Sequence, residues 1–370
     1  MKHIRDEVLY SIALTMVHNV GAIQSKILLE HFSTAENIFR ASSRDLENVP
    51  GIGTIRARSI RSFRDFSLAE KEIRFMEKFK IRPILYNDEE YPKRLKHCDD
   101  PPTMLFYRGN ADLNAGKVLS IVGTRQETEY GKQVLAEIMS GLEGSGILVL
   151  SGLAYGIDAL AHRMALKNGL STVGVLAHGL DRLYPSQNNA LAREMVQTGG
   201  LVTDFMSGSK PDKQNFPKRN RIVAGMADAL LVIESGITGG SIITVNMAAG
   251  YNREVFAVPG RIHDHKSEGC NLLIMDNKAR LARSAEDILI QMNWVKETNT
   301  RKNQPEIFYK ATENEEKILA MLNKNGQMHI DQLMQSCTMH LAAFSASLLN
   351  LEMEKQIKAF PGRRYGIGDQ

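Results

Sequence analysis

The sequence predicts an α/β protein with an extended, doubly wound, mostly parallel sheet, preceded by a small helical domain and followed by a winged helix. Three observations carry this. Between about 81 and 290, short runs that are apolar throughout alternate with helical segments, as in parallel sheets covered on both faces. Four of those runs end in a glycine-rich turn that opens a helix. The flanking segments lack such strands and read as helices joined by short turns, with a hairpin closing the last of them.

Taken in order, residues 1–80 read as the helical domain. Leu9, Ile12, Ala13 and Met16 fall at helical spacing. Two glycine turns, in VHNVGAIQSKILL (17–29) and NVPGIGTIRARSI (48–60), give the pattern of paired helix-hairpin-helix units, whose turn amides can meet a DNA phosphate. Arg56, Arg58, Arg61 and Arg64 favour that use, although a plain helical bundle has the same spacing. Residues 81–295 form the sheet domain, with strands expected at 81–86, 104–108, 118–122, 147–150, 172–176, 201–205, 229–233 and 254–258. A polar, charged segment at 296–312 reads as a linker. Residues 313–370 read as the winged helix, with helices near 314–323, 330–336 and 340–354 and a wing turn at Pro361 and Gly362. Its third helix carries no basic residue before Lys355, so groove reading is not expected of it.

Composition narrows the function classes. With 43% hydrophobic and 24% charged residues and a net charge of +4, the chain reads as an ordinary cytosolic protein in which any nucleic-acid surface is a local patch. Cys98, Cys270 and Cys337 are far apart and lack CxxC pairing, which argues against a disulfide framework or a zinc site. No apolar stretch reaches the ~20 residues of a membrane span. Neither a P-loop, nor a dinucleotide fingerprint at the strand turns, nor a nucleophile elbow occurs.

The chemistry gathers at IVGTR (121–125), LSGLAYGIDALAH (150–162), VLAHGLDRLYP (175–185) and ESGITGGSIIT (234–244). In an open parallel sheet such turns line the carboxyl edge, where helix N-termini and glycine backbones accept phosphates. The stretch NFPKRNRIVAG adds cations: Lys213, Lys218, Arg219 and Arg221 lie within nine residues without an acid on either side of the FP pair. That suits a flexible polyanion, with cations on phosphates and Phe216 stacked on an unpaired base. A solvated loop whose Phe plugs the core fits the stretch equally well. Asp158 and His162, four apart on one helix face, have no third ligand nearby and read as a structural hydrogen bond.

In this order and spacing, VLSIVGTR, SGLAYGIDALAH, VGVLAHGLDRLYP, NFPKRNRIVAG, ESGITGGSIIT and REVFAVPG resemble the DNA-processing protein A (DprA/Smf) family over nearly the whole chain. The resemblance implies a Rossmann-like core and a cytoplasmic homodimer that binds single-stranded DNA, protects it in natural transformation and loads the RecA recombinase. It implies no catalysis and no cofactor. The strand-contacting residues it implies are Gly123, Thr124 and Arg125; Ser151, Gly152 and Gly156; Phe216, Pro217, Lys218, Arg219, Asn220 and Arg221; and Gly240 and Ser241, with Lys213 added by the charge pattern. Gly239 stands where the family has a serine, and MDNKA (275–279) departs from its usual turn. The rival reading is a nucleotide-processing phosphoribohydrolase with Glu234 as acid, which lacks the carboxylate expected after the double glycine.

Overall fold

The computed structural model describes residues 2–295 and 311–367, and the chain falls into two compact units on either side of the Val295–Lys296 bond. All but the last two residues of the expected linker lie outside the described residues.

The first unit opens with six helices: α1 (Lys2–Met16), α2 (Ala22–Phe32), α3 (Ala35–Arg40), α4 (Ser43–Glu47), α5 (Gly53–Ser62) and α6 (Ser67–Phe79). Side-chain caps set the short ones: Thr34 accepts from the Asn37 amide, and Ser42 and Asp45 form a reciprocal box at the start of α4. Buried Ile12, Leu28, Ile38, Leu46, Ile52 and Ile60 hold the helices together. The arginines in and just after α5 divide. Arg56 donates to the Asn19 and Gly51 carbonyls, Arg61 to those of Phe39 and Ala41, and Arg64 to those of Arg61 and Phe63. Arg58 is exposed and has no such partner among the described residues.

All eight expected strands are present, with ends shifted by a residue or two: β1 (Arg82–Leu85), β2 (Met104–Gly109), β3 (Val118–Val122), β4 (Leu148–Ser151), β5 (Thr172–Val175), β6 (Gly200–Thr203), β7 (Ala229–Val232) and β8 (Glu254–Ala257). A ninth, β9 (Arg280–Leu281), is too short to leave a periodic signal. The sheet order is β1-β2-β6-β5-β4-β3-β7-β8-β9. From β6 to β9 every pairing is parallel, while β1 and β2 are added antiparallel at one edge. The helices are α7 (Lys93–Lys96), α8 (Glu129–Gly141), α9 (Ile157–Lys167), α10 (Asn189–Thr198), α11 (Asn215–Gly225), α12 (Gly240–Gly250), α13 (Glu268–Met275) and α14 (Ala285–Gln291).

Alternate residues of each strand feed different cores. Val118, Leu150, Val173 and Leu230 pack with Ile222 of α11 and Val245 of α12. Leu119, Ile121, Val149 and Leu231 pack with Leu135 of α8 and Ala161 of α9. Both faces are therefore covered, which is why these strands read as unbroken apolar runs. The chain steps outward from β3 through β4 and β5 to β6, then returns to β7 on the other side of β3. That reversal places a crevice at the carboxyl ends of β3 and β7.

The second unit contains α15 (Glu313–Asn325), α16 (Ile330–Cys337), α17 (Leu341–Met353) and a three-stranded sheet ordered β10 (Met328–His329), β12 (Arg364–Ile367), β11 (Ile357–Phe360). This is the expected winged helix with one short extra strand. Ile318, Leu322, Leu333, Phe344, Leu348 and Leu351 form its core. Leu341, Leu349 and Met353 of α17 are exposed, so that helix presents apolar side chains where a groove reader would present cations.

Candidate nucleic-acid interface

The turn after β3 is pinned from two sides. The Thr124 amide donates to the Glu234 carbonyl at 2.8 Å, and the first amide of α9, that of Ile157, donates to the Thr124 carbonyl at 3.1 Å. Gly156 makes this approach possible: its φ is +75°, and a Cβ there would stand 2.3 Å from the Thr124 oxygen. A side chain at 156 would thus push away the turn that carries Arg125.

The cationic stretch, expected as a loop, begins a helix instead. Residues Asn215–Gly225 are α11, and Pro217 fits in its first turn, where a missing N–H costs nothing. Helical phase then separates the cations. Arg219 turns inward and is only 4% exposed; its guanidinium donates to the Gly152 and Val175 carbonyls and, through Nε, to Asn220 Oδ1 at 3.0 Å. Burial lowers its pKa to about 10, with Asp158 opposing the shift. Gly152 leaves room for it, since a Cβ there would lie 2.2 Å from Arg219 Nη1. Arg221 points elsewhere, pairing with Asp204 at 2.8 Å and donating to the Asp100 carbonyl at 2.7 Å. The expectation that Arg219 and Arg221 clamp phosphates is corrected accordingly: both guanidiniums are engaged inside the protein. Lys213 and Lys218 are exposed.

The carboxyl edge holds a cleft of about 730 Å³. Gly123, Thr124, Arg125, Gly152, Lys213, Phe216, Pro217, Arg219, Asn220, Gly240 and Ser241 all line it. Ser151, Gly156, Lys218 and Arg221 do not. Ser151 is fully buried and donates to the Ile121 carbonyl at 2.6 Å, bracing two strands. At the mouth the Arg125 guanidinium lies 5.1 Å over the centre of the Phe216 ring, a cation–π arrangement. Tyr184 meets Phe216 edge-on at 6.2 Å and is 44% exposed. Helices α9, α11 and α12 all begin beside the cleft, bringing the positive ends of their dipoles to it. Ser241 donates to the Ser235 hydroxyl at 2.7 Å, which fixes the start of α12.

Two neighbours escaped the sequence reading. Tyr184 lies within VLAHGLDRLYP, but a lone tyrosine before a proline carries no spacing signal. Lys266 reaches Thr124 Oγ1 at 3.4 Å and Gln126 Oε1 at 3.3 Å from a loop far along the chain.

The acidic groups are structural. The Glu234 carboxylate is buried, accepts from the Thr128 amide at 3.0 Å and from its hydroxyl, and faces Gly131 at the start of α8. It does not line the cleft, so the acid required by the phosphoribohydrolase reading is turned away from any ligand there. Asp158 is buried in the cleft wall, and desolvation pushes its carboxyl up while Arg219 pulls it back. His162 does not pair with Asp158 as expected; its Nδ1 lies 2.6 Å from Thr172 Oγ1. The Thr172 hydroxyl donates to the Val149 carbonyl, so it accepts from the Nδ1–H of the imidazole. Burial holds its pKa at about 3. Among the described residues no cluster of His, Cys, Asp or Glu could hold a metal ion.

Fold and site together define an extended Rossmann-like protein with a glycine-lined cleft at its switch point, preceded in the chain by a helix-hairpin-helix region and followed in the chain by a winged helix. The family model described as DNA recombination-mediator protein A matches residues 82–293, the DprA winged helix domain matches 308–363, and a helix-hairpin-helix motif matches 11–70. The chain belongs to the DNA recombination-mediator protein A family. It is 31% identical to Protein Smf of Synechocystis over 96% of this chain and 98% of that one. The crystal structure of DNA processing protein A from Streptococcus pneumoniae superposes with a TM-score of 0.67 at 32% identity, covering 76% of this chain and 97% of the other. A second solved structure, from Helicobacter pylori, describes the single-stranded DNA binding mode of its DNA processing protein A. It aligns with a TM-score of 0.52 at 27% identity over 56% of this chain and 94% of that one.

Proposed function

We propose that the cleft binds single-stranded DNA as part of DNA processing in natural transformation and recombination. The observation that carries this is the Arg125 guanidinium placed 5.1 Å over the Phe216 ring at the mouth of a glycine-lined crevice. A strand's phosphates lie along the starts of α9, α11 and α12 and meet Arg125 and Lys213, while an unpaired base stacks beside Phe216 and Tyr184. Base–aromatic stacking contributes roughly 1–3 kcal/mol per base and tolerates any base, as a protein accepting arbitrary incoming sequence requires. Arg219 acts from behind, holding the Gly152 and Val175 turns in place. Electrophoretic shifts with single- and double-stranded oligomers of equal length and arbitrary sequence test the reading: preference for the single strand supports it, and equal or stronger binding of the duplex overturns it.

Family membership supports finer readings in the same direction. The protein hands its strand to RecA, forms a homodimer through the sheet domain, acts in the cytoplasm and carries out no catalysis with or without a cofactor. Among the described residues no helix is long and apolar enough to cross a membrane. Sedimentation velocity reads the dimer, and co-precipitation with purified RecA reads the hand-over.

A further inference from the structure

The loop after β5 has two sides. Tyr184 faces the cleft just described, whereas Leu180, Asp181, Arg182 and Leu183 line a separate groove of about 600 Å³ next to it. Leu176, just after β5, borders both this groove and the small hollow beneath Tyr184 and Phe216. The two sites therefore lie back to back across a single turn of chain.

The groove repeats the chemistry of the cleft with different residues. Phe75 and Phe79 of α6 form one wall, their rings 4.6 Å apart, and Phe79 is 40% exposed. Lys78 Nζ sits 5.5 Å from the centre of the Phe79 ring. Arg108 at the end of β2 and Arg193 on α10 also line the groove, both exposed and, among the described residues, without a side-chain hydrogen bond or ion pair. The charge is not cancelled locally. Asp181, the one acid among the lining residues, is already held by Arg182 at 2.7 Å and by the Gly208 amide at 2.9 Å. Unpaired guanidiniums facing an open aromatic ring over an apolar floor suit a polyanion with stacking bases, not an acidic side chain alone.

We infer that this groove is a second nucleic-acid subsite, in which a single strand leaving the Arg125–Phe216 cleft crosses the Asp181–Tyr184 turn and continues over Arg193, Arg108 and Phe79. The inference rests on the reading of the first cleft as a single-strand site. It assigns the helical domain a direct part in holding the strand through α6, independent of its hairpin turns.

The test compares oligothymidylates of about six and about twenty nucleotides, lengths that fill one site or span several. Fluorescence anisotropy is measured for the wild type and for Arg193→Glu, Arg108→Glu and Phe79→Ala, all exposed positions. The expected result is unchanged affinity for the short oligomer and about tenfold weaker binding of the long one. The slope of log affinity against log salt should also be shallower by about 0.7 for each cation removed. Long-oligomer binding equal to wild type in all three variants overturns the subsite, as does equal weakening at both lengths. A change in self-association with no change in DNA affinity overturns it in favour of a second copy of the chain. Failure of the wild type to bind either oligomer instead overturns the reading of the first cleft.

Discussion

The mouth and the wall of the cleft draw on the same eleven residues, Asn215–Gly225, yet they are built for opposite tasks. At the mouth, Phe216 is half-buried and supports an exposed Arg125. In the wall, three residues further along α11, Arg219 is sealed in and spends its donors on backbone carbonyls. The comparison shows that a cation-rich stretch is not a uniform phosphate clamp once it folds into a helix. Each position is assigned by its phase, and two of the three cations in the helix, Arg219 and Arg221, become scaffold.

The sharpest way to break this division is to remove a wall residue. Arg219→Ala leaves the Gly152 and Val175 carbonyls and the buried Asp158 without their partner, and should cost about 3 kcal/mol of stability or more. Urea denaturation should show a lowered midpoint; a midpoint equal to wild type would mean that Arg219 belongs to the mouth. At the mouth the effect reverses. Phe216→Ala should weaken single-strand binding by about 1–3 kcal/mol while Phe216→Trp retains it, read by anisotropy.

Acid should act on the buried face of α9 before the mouth. His162 is neutral in the folded protein down to about pH 3, whereas the unfolded chain takes up its proton near 6.5. Between those values the unfolded state binds more protons, so this contribution to stability falls as pH falls from 6.5 toward 3. Denaturation midpoints measured across that window should decline, and His162→Gln should flatten the decline. The smallest effect belongs to Lys218, exposed and outside the cleft. Lys218→Ala should leave stability within about 0.5 kcal/mol and change strand affinity little; a large loss would extend the interface along α11.

Much of this was legible before the structure. The eight strands were readable because burial on both faces leaves apolar runs, and the four turns because glycines sit where chain and ligand must come close. What the residues could not reveal was the direction of each arginine. Arg56, Arg61, Arg219 and Arg221 all looked like free cations, but each found carbonyls or carboxylates distant in sequence. Asp158 and His162 shared a helix face, as their spacing required, yet His162 took Thr172 from the adjacent strand as its partner. Helical phase decides such cases, and a run of eleven residues holding a Pro and two Asn between strands reads as a loop. Gly239 and the MDNKA turn depart from the family pattern without disturbing the fold: a Cβ at 239 would crowd Ser235 Oγ at 2.5 Å, and Asn277 takes the left-handed φ of +56°.

The most direct measurement is a double-mutant cycle on single-strand affinity with Arg125→Ala, Phe216→Ala and the pair. Because Arg125 lies on the Phe216 ring, removing either should weaken binding to an oligothymidylate, and their combined effect should fall short of the sum of the two by roughly 0.5–2 kcal/mol. Wild-type affinity in all three variants would show that the strand binds somewhere else.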